Sequence, residues 1–262
     1  MSHTRPRLRL PSVTLCAVSS SNLQATVRAM DASLEQVDFA QALLFTDRNP
    51  LSLDLGASSP IAVINVPRIA SSNAYSHFVL EQLADHINTS HCLIVQWGGR
   101  VINAERWAEV FLAYDYIGAG WPQFDDGHNV GNGGFSLRSL RLMRACQRRN
   151  FTGHHPEDVA IARTNRAFLE SQGLKFAPVE QADRFSTERA SEPSKTFGYH
   201  GVFHMPLAVG PEQFWEVYRD LSNRESLWID FGVILGAVLK GRGGFGRGLI
   251  LIRDRLLAAA KW

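Results

Sequence analysis

The first hundred residues switch repeatedly between short apolar runs and longer stretches with apolar residues every three or four positions. Val13–Val18 (VTLCAV) is too short for a globular helix and lacks alternation, so it reads as a strand buried on both faces. Asn22 suits a helix N-cap, and Leu23, Val27, Met30, Leu34 and Val37 recur at helical spacing after it. Ala42–Phe45, running into Thr46-Asp47, predicts a second strand and Pro60–Val66 a third. Ser72 is read as the cap of a helix with the stripe Tyr75, Phe78, Val79, Leu83 and Ile87, and His91–Trp97 (HCLIVQW) as a fourth strand. This order predicts an α/β fold, a Rossmann-like open, mostly parallel sheet flanked by helices. Ligands of such sheets bind beyond the carboxyl ends of the strands. That rule selects Ser19–Ser21, Asp47, Arg68–Tyr75 and Gln96–Arg100 as cleft candidates.

The second half is less regular. A short helix is expected over Ala104–Leu112, a strand at Tyr116–Gly118, and a glycine-rich extended segment at Val130–Leu137 leading into a basic helix, Arg138–Arg149. Pro156 suits the first position of a helix reaching Ser171. Phe176–Pro178 reads as a strand fragment, Gln181–Lys195 as a polar loop and Pro211–Leu221 as an amphipathic helix. Within the stretch Lys240–Lys261, six Lys/Arg interleave with leucine and isoleucine against the single acid Asp254.

Composition narrows the classes. The chain has 262 residues, 45% hydrophobic and 20% charged, as expected of a folded globular protein. Lys+Arg 27 against Asp+Glu 25 leaves +2, which gives no charge excess for a nucleic-acid partner. Cys16, Cys92 and Cys146 are widely spaced, which argues against a disulfide framework or zinc ribbon and fits a reducing compartment. The best apolar run, Phe231–Leu239, is half the length of a membrane span, and the basic N-terminus (Met1–Pro11) is read as a frayed end rather than a secretory signal.

Few motifs carry chemistry. A literal G-x-G-x-x-G at Gly241, Gly243 and Gly246 has no acid about 20 residues later, so it reads as a basic loop. No P-loop and no G-x-S-x-G occurs. Val130–Ser139 (VGNGGFSLRS) combines strand character with Gly131, Gly133 and Gly134, a pattern of bulges and of backbone approaching a ligand. His154-His155-Pro156-Glu157-Asp158 places two carboxylates in a first helical turn, where the macrodipole favours acids and where a general base also fits. On one strand, His200 and His204 would share a face.

Tyr75-Ser76, His91–Asn103 (HCLIVQWGGRVIN), Tyr114–Pro122 (YDYIGAGWP), Val130–Ser139, Pro156–Val159 and Phe197–Gly201 stand in matching order and spacing. Through them the chain, from Val13 to Pro206, resembles a family of bacterial glycosyltransferase-like proteins of the GT-A type, long classed as a domain of unknown function. The resemblance implies one GT-A-like domain over residues 1–262, with 207–262 as a C-terminal helical extension. It implies a nucleoside-diphosphate-sugar donor contacted by Ser19, Asp47, Tyr75, Gln96, Gly98, Arg100, Asn132, Gly133 and Gly134. It also implies a saccharide or lipid-linked acceptor deprotonated by Asp158 or Glu157, in surface polysaccharide synthesis. A divalent metal, Mn or Mg, would belong at Gln96–Gly99, with His200 touching metal or diphosphate. Here the chain departs from the family's Gln-x-Asp-Gly. Gly98 holds the Asp position, and a hard cation needs oxygen ligands. Arg100, two residues on, is expected to point into the cleft toward His200 and to neutralise phosphate instead. Asp125-Asp126 offers a carboxylate from another loop.

A catalytically inactive nucleotide-sugar-binding protein is the alternative, since Gly98 removes a central charge; a nucleotidyltransferase ranks below both. No nucleic acid is expected. The protein is expected to be cytoplasmic, at the inner face of the membrane if residues 241–262 form a basic amphipathic helix that docks there.

Overall fold

The computed structural model describes residues 7–53, 55 and 59–260. β1 (Leu8–Val18), α1 (Leu23–Leu34), β2 (Val37–Thr46), β3 (Ile61–Asn65), α2 (Ser72–Glu81) and β4 (His91–Val95) build the first half. Short strands follow: β5 (Gly99–Val101), β6 (Tyr116–Ile117), β7 (Ala119–Gly120), β8 (Val130–Gly131) and β9 (Phe135–Ser139). Then come α3 (Leu140–Cys146), α4 (Glu157–Val159), α5 (Arg166–Ser171), α6 (Val179–Phe185), β10 (Ser186–Thr187) and β11 (Gly198–His200). The helices α7 (Met205–Asp220), α8 (Phe231–Leu239) and α9 (Gly244–Ala259) end the chain.

The central sheet has the order β3-β2-β1-β4-β9-β6. β1 lies parallel to both β2 and β4, and β3 is parallel to β2, whereas β9 is antiparallel to β4 and to β6. This is a mixed α/β architecture with a mostly parallel sheet between helices. Strand order reverses between β1 and β4, so a crevice opens there beyond their carboxyl ends. Alternation sorts the side chains. Val13, Leu15 and Ala17 pack with Val27 and Met30 of α1, while Cys16 and Val18 pack with Phe78 and Val79 of α2. Both faces are therefore buried, which is why the strand runs are continuously apolar.

A second small sheet, β10-β11-β5, stands beside the first, and an aromatic cluster joins the two. Phe135 of β9, Phe185 of α6 and Phe197 meet with ring centroids 5.3 to 6.0 Å apart. A separate core holds α7, α8 and α9 together around Met205, Phe214, Tyr218, Ile234, Val238 and Leu251.

Several boundaries differ from expectation for local reasons. Ser71, not Ser72, caps α2, accepting the Ala74 N–H at 3.1 Å. Val37 opens β2 instead of closing α1. The helix expected over 104–112 is two 3-10 turns, Ala104–Arg106 and Glu109–Ala113, interrupted by extended Trp107. Arg138, Arg141, Arg144 and Arg148 recur at helical spacing, yet Arg138 lies in β9, where Phe135–Ser139 pairs with β4. The Ser139 side chain then caps α3. Gln181–Lys195 is not a loop: it contains the end of α6 and all of β10. Its small polar residues Ser186 and Thr187 are buried. The helix foreseen at Pro211–Leu221 begins earlier, at Met205, and breaks at Gly210 (φ 82°). Leu8–Pro11 belongs to β1 and Arg7 pairs with Asp38 at 2.6 Å; residues 1–6 lie outside the described set.

Asn22 does not cap α1 with its side chain. It adopts a left-handed conformation (φ 51°) and its Oδ1 accepts the Ser222 and Asn223 N–H groups at 2.8 and 3.0 Å. Its Nδ2 donates to Asn223 O at 3.2 Å, so one buried side chain fastens the loop after α7 to the sheet's first crossover. Asn22→Ala loses these bonds and must still hold φ > 0. It is expected to lower unfolding free energy by about 2–4 kcal/mol, read as a reduced denaturation midpoint at unchanged m-value.

Candidate active site

Beyond the ends of β1 and β4 the surface opens into two adjoining cavities. One, of about 480 Å³, is lined by Ser19–Ser21, Arg68, Tyr75 and Asn223. The other, of about 530 Å³, is lined by Trp121, Asn132–Gly134, Asp158, Glu188, Arg189 and His200. Gln96 and Glu157 line both, so the two form lobes of one cleft at the switch point of the sheet.

The floor is the loop between β8 and β9. Asn132 turns it with φ 67°, and its Oδ1 accepts the Gly134 N–H at 3.1 Å. The next two positions admit no side chain: a Cβ on Gly133 would lie 2.0 Å from Glu157 Oε1, and one on Gly134 would lie 2.1 Å from His200 Nε2. Gly134 O accepts the Gln96 N–H at 3.0 Å, which fixes the floor to the end of β4.

Beneath Gly133 lies a buried ion pair. Arg138 Nη2 meets Glu157 Oε1 at 3.0 Å, with side-chain exposures of 1% and 6%. Arg138 also donates through Nε to Ser136 Oγ at 3.0 Å and sits over the Tyr116 ring at 5.5 Å. Ser76 Oγ contacts Glu157 Oε2 at 3.5 Å and His155 Nδ1 at 3.0 Å. Asp158, the next residue, points differently. Its Oδ2 accepts the Gly133 N–H at 2.9 Å and its Oδ1 accepts the Val159 N–H at 2.8 Å. Each oxygen retains a lone pair, and the carboxylate lines the lobe that holds His200.

Burial governs the titrating groups. It lowers the His200 imidazole to about 4 against the opposing pull of Asp158, so His200 is neutral at pH 7 with Nδ1 unpartnered. It raises the Glu188 carboxyl despite the Arg189 charge, with Asp158 adding to the rise. The Tyr75 phenol is likewise pushed well up by burial and by Glu157.

A family model described as "Protein of unknown function (DUF5672)" matches residues 60–200. The chain belongs to the DUF5672 family. The matched span runs from the start of β3 to the end of β11 and contains Gln96, the Asn132–Gly134 floor, the Glu157-Asp158 pair and His200. No curated protein matches. Among solved structures, the mannosyltransferase PcManGT from Pyrobaculum calidifontis, in complex with GDP-Man and Mn2+, is similar at 9% identity. The similarity covers 97% of this chain and 79% of that one, with a TM-score of 0.39.

The DUF5672 cleft thus gathers Ser19, Tyr75, Gln96, Asn132, Gly133, Gly134, Glu157, Asp158 and His200. Three expected residues line neither lobe. Asp47 lies past the end of β2 with a buried, unpartnered Oδ1. Gly98 is buried against His200, and its carbonyl accepts the Gly201 N–H at 3.0 Å. Arg100 corrects the expectation that it faces the cleft. In β5 it pairs with Tyr199 rather than His200, and its guanidinium donates to Gln213 of α7. His200 and His204 do not share a strand face either, because the chain turns at Gly201 (φ 97°) and His204 sits at the start of α7.

Of the residues expected around a metal, Gln96 and His200 line the cleft. Among the described residues no group of three His, Cys, Asp or Glu side chains is placed to hold an ion. Asp126, of the Asp125-Asp126 pair, is bound to Arg163 at 2.6 Å. The residues present do not fit a divalent metal. Glu188, Arg189 and Arg68 are cleft residues, and Arg138 a buried support beneath the floor, that sequence reasoning missed or left inside a longer candidate segment. The signal for Arg138 was present: a lone arginine inside the strand pattern FSLRS needs a buried partner.

His200 gives a pH test. Its folded pKa lies below the unfolded value near 6.5, so the unfolded chain binds more protons between the two. Its contribution is complete above about pH 6.5 and is lost as pH falls toward 4. His200→Asn is expected to remove on the order of 3 kcal/mol from the rise in unfolding free energy between pH 4 and 7, measured by urea titration.

Proposed function

We propose that this cleft belongs to a GT-A-like glycosyltransferase, which moves a sugar from a nucleoside-diphosphate-sugar to a saccharide or lipid-linked acceptor in surface polysaccharide synthesis. The observation that carries the reading is the placement of Asp158 directly against Gly133 of a side-chain-free floor, within a cleft at the sheet's switch point. The nucleotide occupies the lobe of Ser19–Ser21, Arg68 and Tyr75, and the sugar lies over Gly133 and Gly134. The acceptor enters beside Trp121 and Glu188. We further propose one domain spanning residues 1–262, with 207–262 as its helical extension, working in the cytoplasm.

In the transfer, the acceptor hydroxyl gives its proton to Asp158 as its oxygen bonds the anomeric carbon. The bond from that carbon to the diphosphate oxygen breaks, and the nucleoside diphosphate leaves with the electron pair. Arg68, which has no carboxylate partner among the described residues, lies in the nucleotide lobe and is the cation placed to offset the leaving charge. His200 is neutral and shapes the floor; no step passes through a metal.

Asp158→Asn is expected to lower turnover by about 10²–10⁴-fold while donor affinity stays within about threefold, since Asn keeps one oxygen for the Gly133 N–H. Thermal shift with UDP- and GDP-sugars reads the affinity, and released nucleoside diphosphate reads the turnover. A variant with full turnover would return Asp158 to a structural role at the start of α4. The absence of an assembled metal group among the described residues favours a second reading, an inactive nucleotide-sugar-binding protein. That reading predicts a thermal shift with no nucleoside diphosphate released.

A further inference from the structure

α8 and α9 form an antiparallel hairpin whose outer face is covered by none of the described residues. On α9, Phe245, Leu249, Ile252 and Leu256 follow at intervals of four, three and four residues, which puts them on one face. All are exposed, at 76%, 53%, 38% and 66%. Val233 and Leu239 of α8 are about half exposed as well. The inward face is already used: Leu251 is buried against α8, and Arg247 lies over the Trp215 ring at 5.5 Å.

Charge borders this apolar stripe. Arg253 follows Ile252 and Arg255 precedes Leu256, so the two emerge on opposite sides of the stripe. Arg242, in the turn between the helices, is exposed and has no carboxylate partner for its side chain among the described residues. The one acid of residues 231–262, Asp254, is turned inward: its Oδ2 meets Tyr218 at 2.7 Å and Arg224 at 2.9 Å, and its Oδ1 holds Arg253 at 2.8 Å, which leaves that arginine 66% exposed, while Arg255 lies over the Phe231 ring at 4.3 Å. No helix of the described residues is long and apolar enough to cross a membrane. Lys261, the last base of the stretch, lies outside the described residues.

We propose that the outer face of the α8–α9 hairpin docks on an anionic lipid surface, with Phe245, Leu249, Ile252 and Leu256 entering the headgroup region and Arg242, Arg253 and Arg255 meeting lipid phosphates. An apolar stripe bordered by cations, with the helix's own acid turned inward and only Glu212 of α7 near the turn, is the pattern of an interfacial helix. A second copy of the chain is the poorer occupant, because a twofold contact sets these arginines against one another. The hairpin also adjoins the cleft: Asn223 lines both the nucleotide lobe and a groove of about 590 Å³ bounded by Trp228, Arg255 and Leu257. The inference goes beyond the transfer reading and stands without it, since its test reads binding and not turnover.

Flotation of the full chain with vesicles of phosphatidylcholine, or of phosphatidylcholine with about one quarter phosphatidylglycerol, tests it. The chain is expected to float with the anionic vesicles at low salt and to be released as salt screens the contact. Arg242→Gln should lower partitioning severalfold, and Leu249→Ser with Leu256→Ser should abolish it. These side chains are exposed, so both variants should keep the wild-type melting temperature, which is measured alongside. Equal binding to neutral vesicles, or unchanged binding of the folded leucine variant, overturns the proposal. So does a concentration-dependent dimer that excludes vesicles and that the leucine variant dissolves.

Discussion

Arg138 and Glu157 meet at 3.0 Å with almost no contact with water, and the cleft depends on what that pair requires. Taking two charges out of water costs several kcal/mol per ion, and mutual attraction offsets the cost only when further hydrogen bonds complete the site. Here Ser136 completes the guanidinium and Ser76 lies within reach of the carboxylate. The pair ties β9 of the central sheet to the start of α4, two elements nineteen residues apart in sequence. Any side chain at Gly133 would strike Glu157, so the floor lies directly on the pair. The residue after Glu157 then grips the same floor from the other side, through the Gly133 N–H. A buried ion pair is weak evidence for stability, but it is a strong device for fixing register, and register is what sets Asp158 against the floor.

The sheet supplies the rest of the geometry. Reversal of strand order between β1 and β4 opens the crevice, and Gln96, at the end of β4, lies between its lobes. The segment around β10, fixed by the small sheet, brings Glu188 and Arg189 to the rim. Arg189 in turn pairs with Asp230, just before α8, at 2.9 Å, and Asn22 fastens the loop after α7. Two polar anchors therefore connect the C-terminal helices to the cleft.

How much of this was legible in the sequence varies with the physical origin of each feature. Strands buried on both faces leave continuous apolar runs, so β1 to β4 and the switch-point cleft could be read directly. Glu157-Asp158 and the Gly133-Gly134 floor were legible as unusual local chemistry, although the sequence alone did not reveal that the Glu157 carboxylate is tied up in a buried ion pair while Asp158 grips the floor. Arg138 was hidden because its spacing to Arg141 and Arg144 imitates a basic helix face. Arg100 was misdirected because its orientation is set by antiparallel pairing with β11, a contact about a hundred residues away. Gln181–Lys195 looked solvated because Ser186 and Thr187 are polar, yet small hydroxyl residues are readily buried in a strand once their hydrogen bonds are met.

The most direct test of the central claim removes the charges while keeping the volume. Unfolding free energy and amide exchange at Gly133 are measured by NMR for Arg138→Met, Glu157→Leu and the double variant. Arg138→Met alone should cost about 3–5 kcal/mol by leaving a buried carboxylate unpaired, and the double variant should recover most of that loss. If the pair sets the floor, the recovered double variant still loses protection of the Gly133 amide, because Asp158 no longer meets it in register. A double variant that regains stability together with wild-type protection at Gly133 would contradict the account.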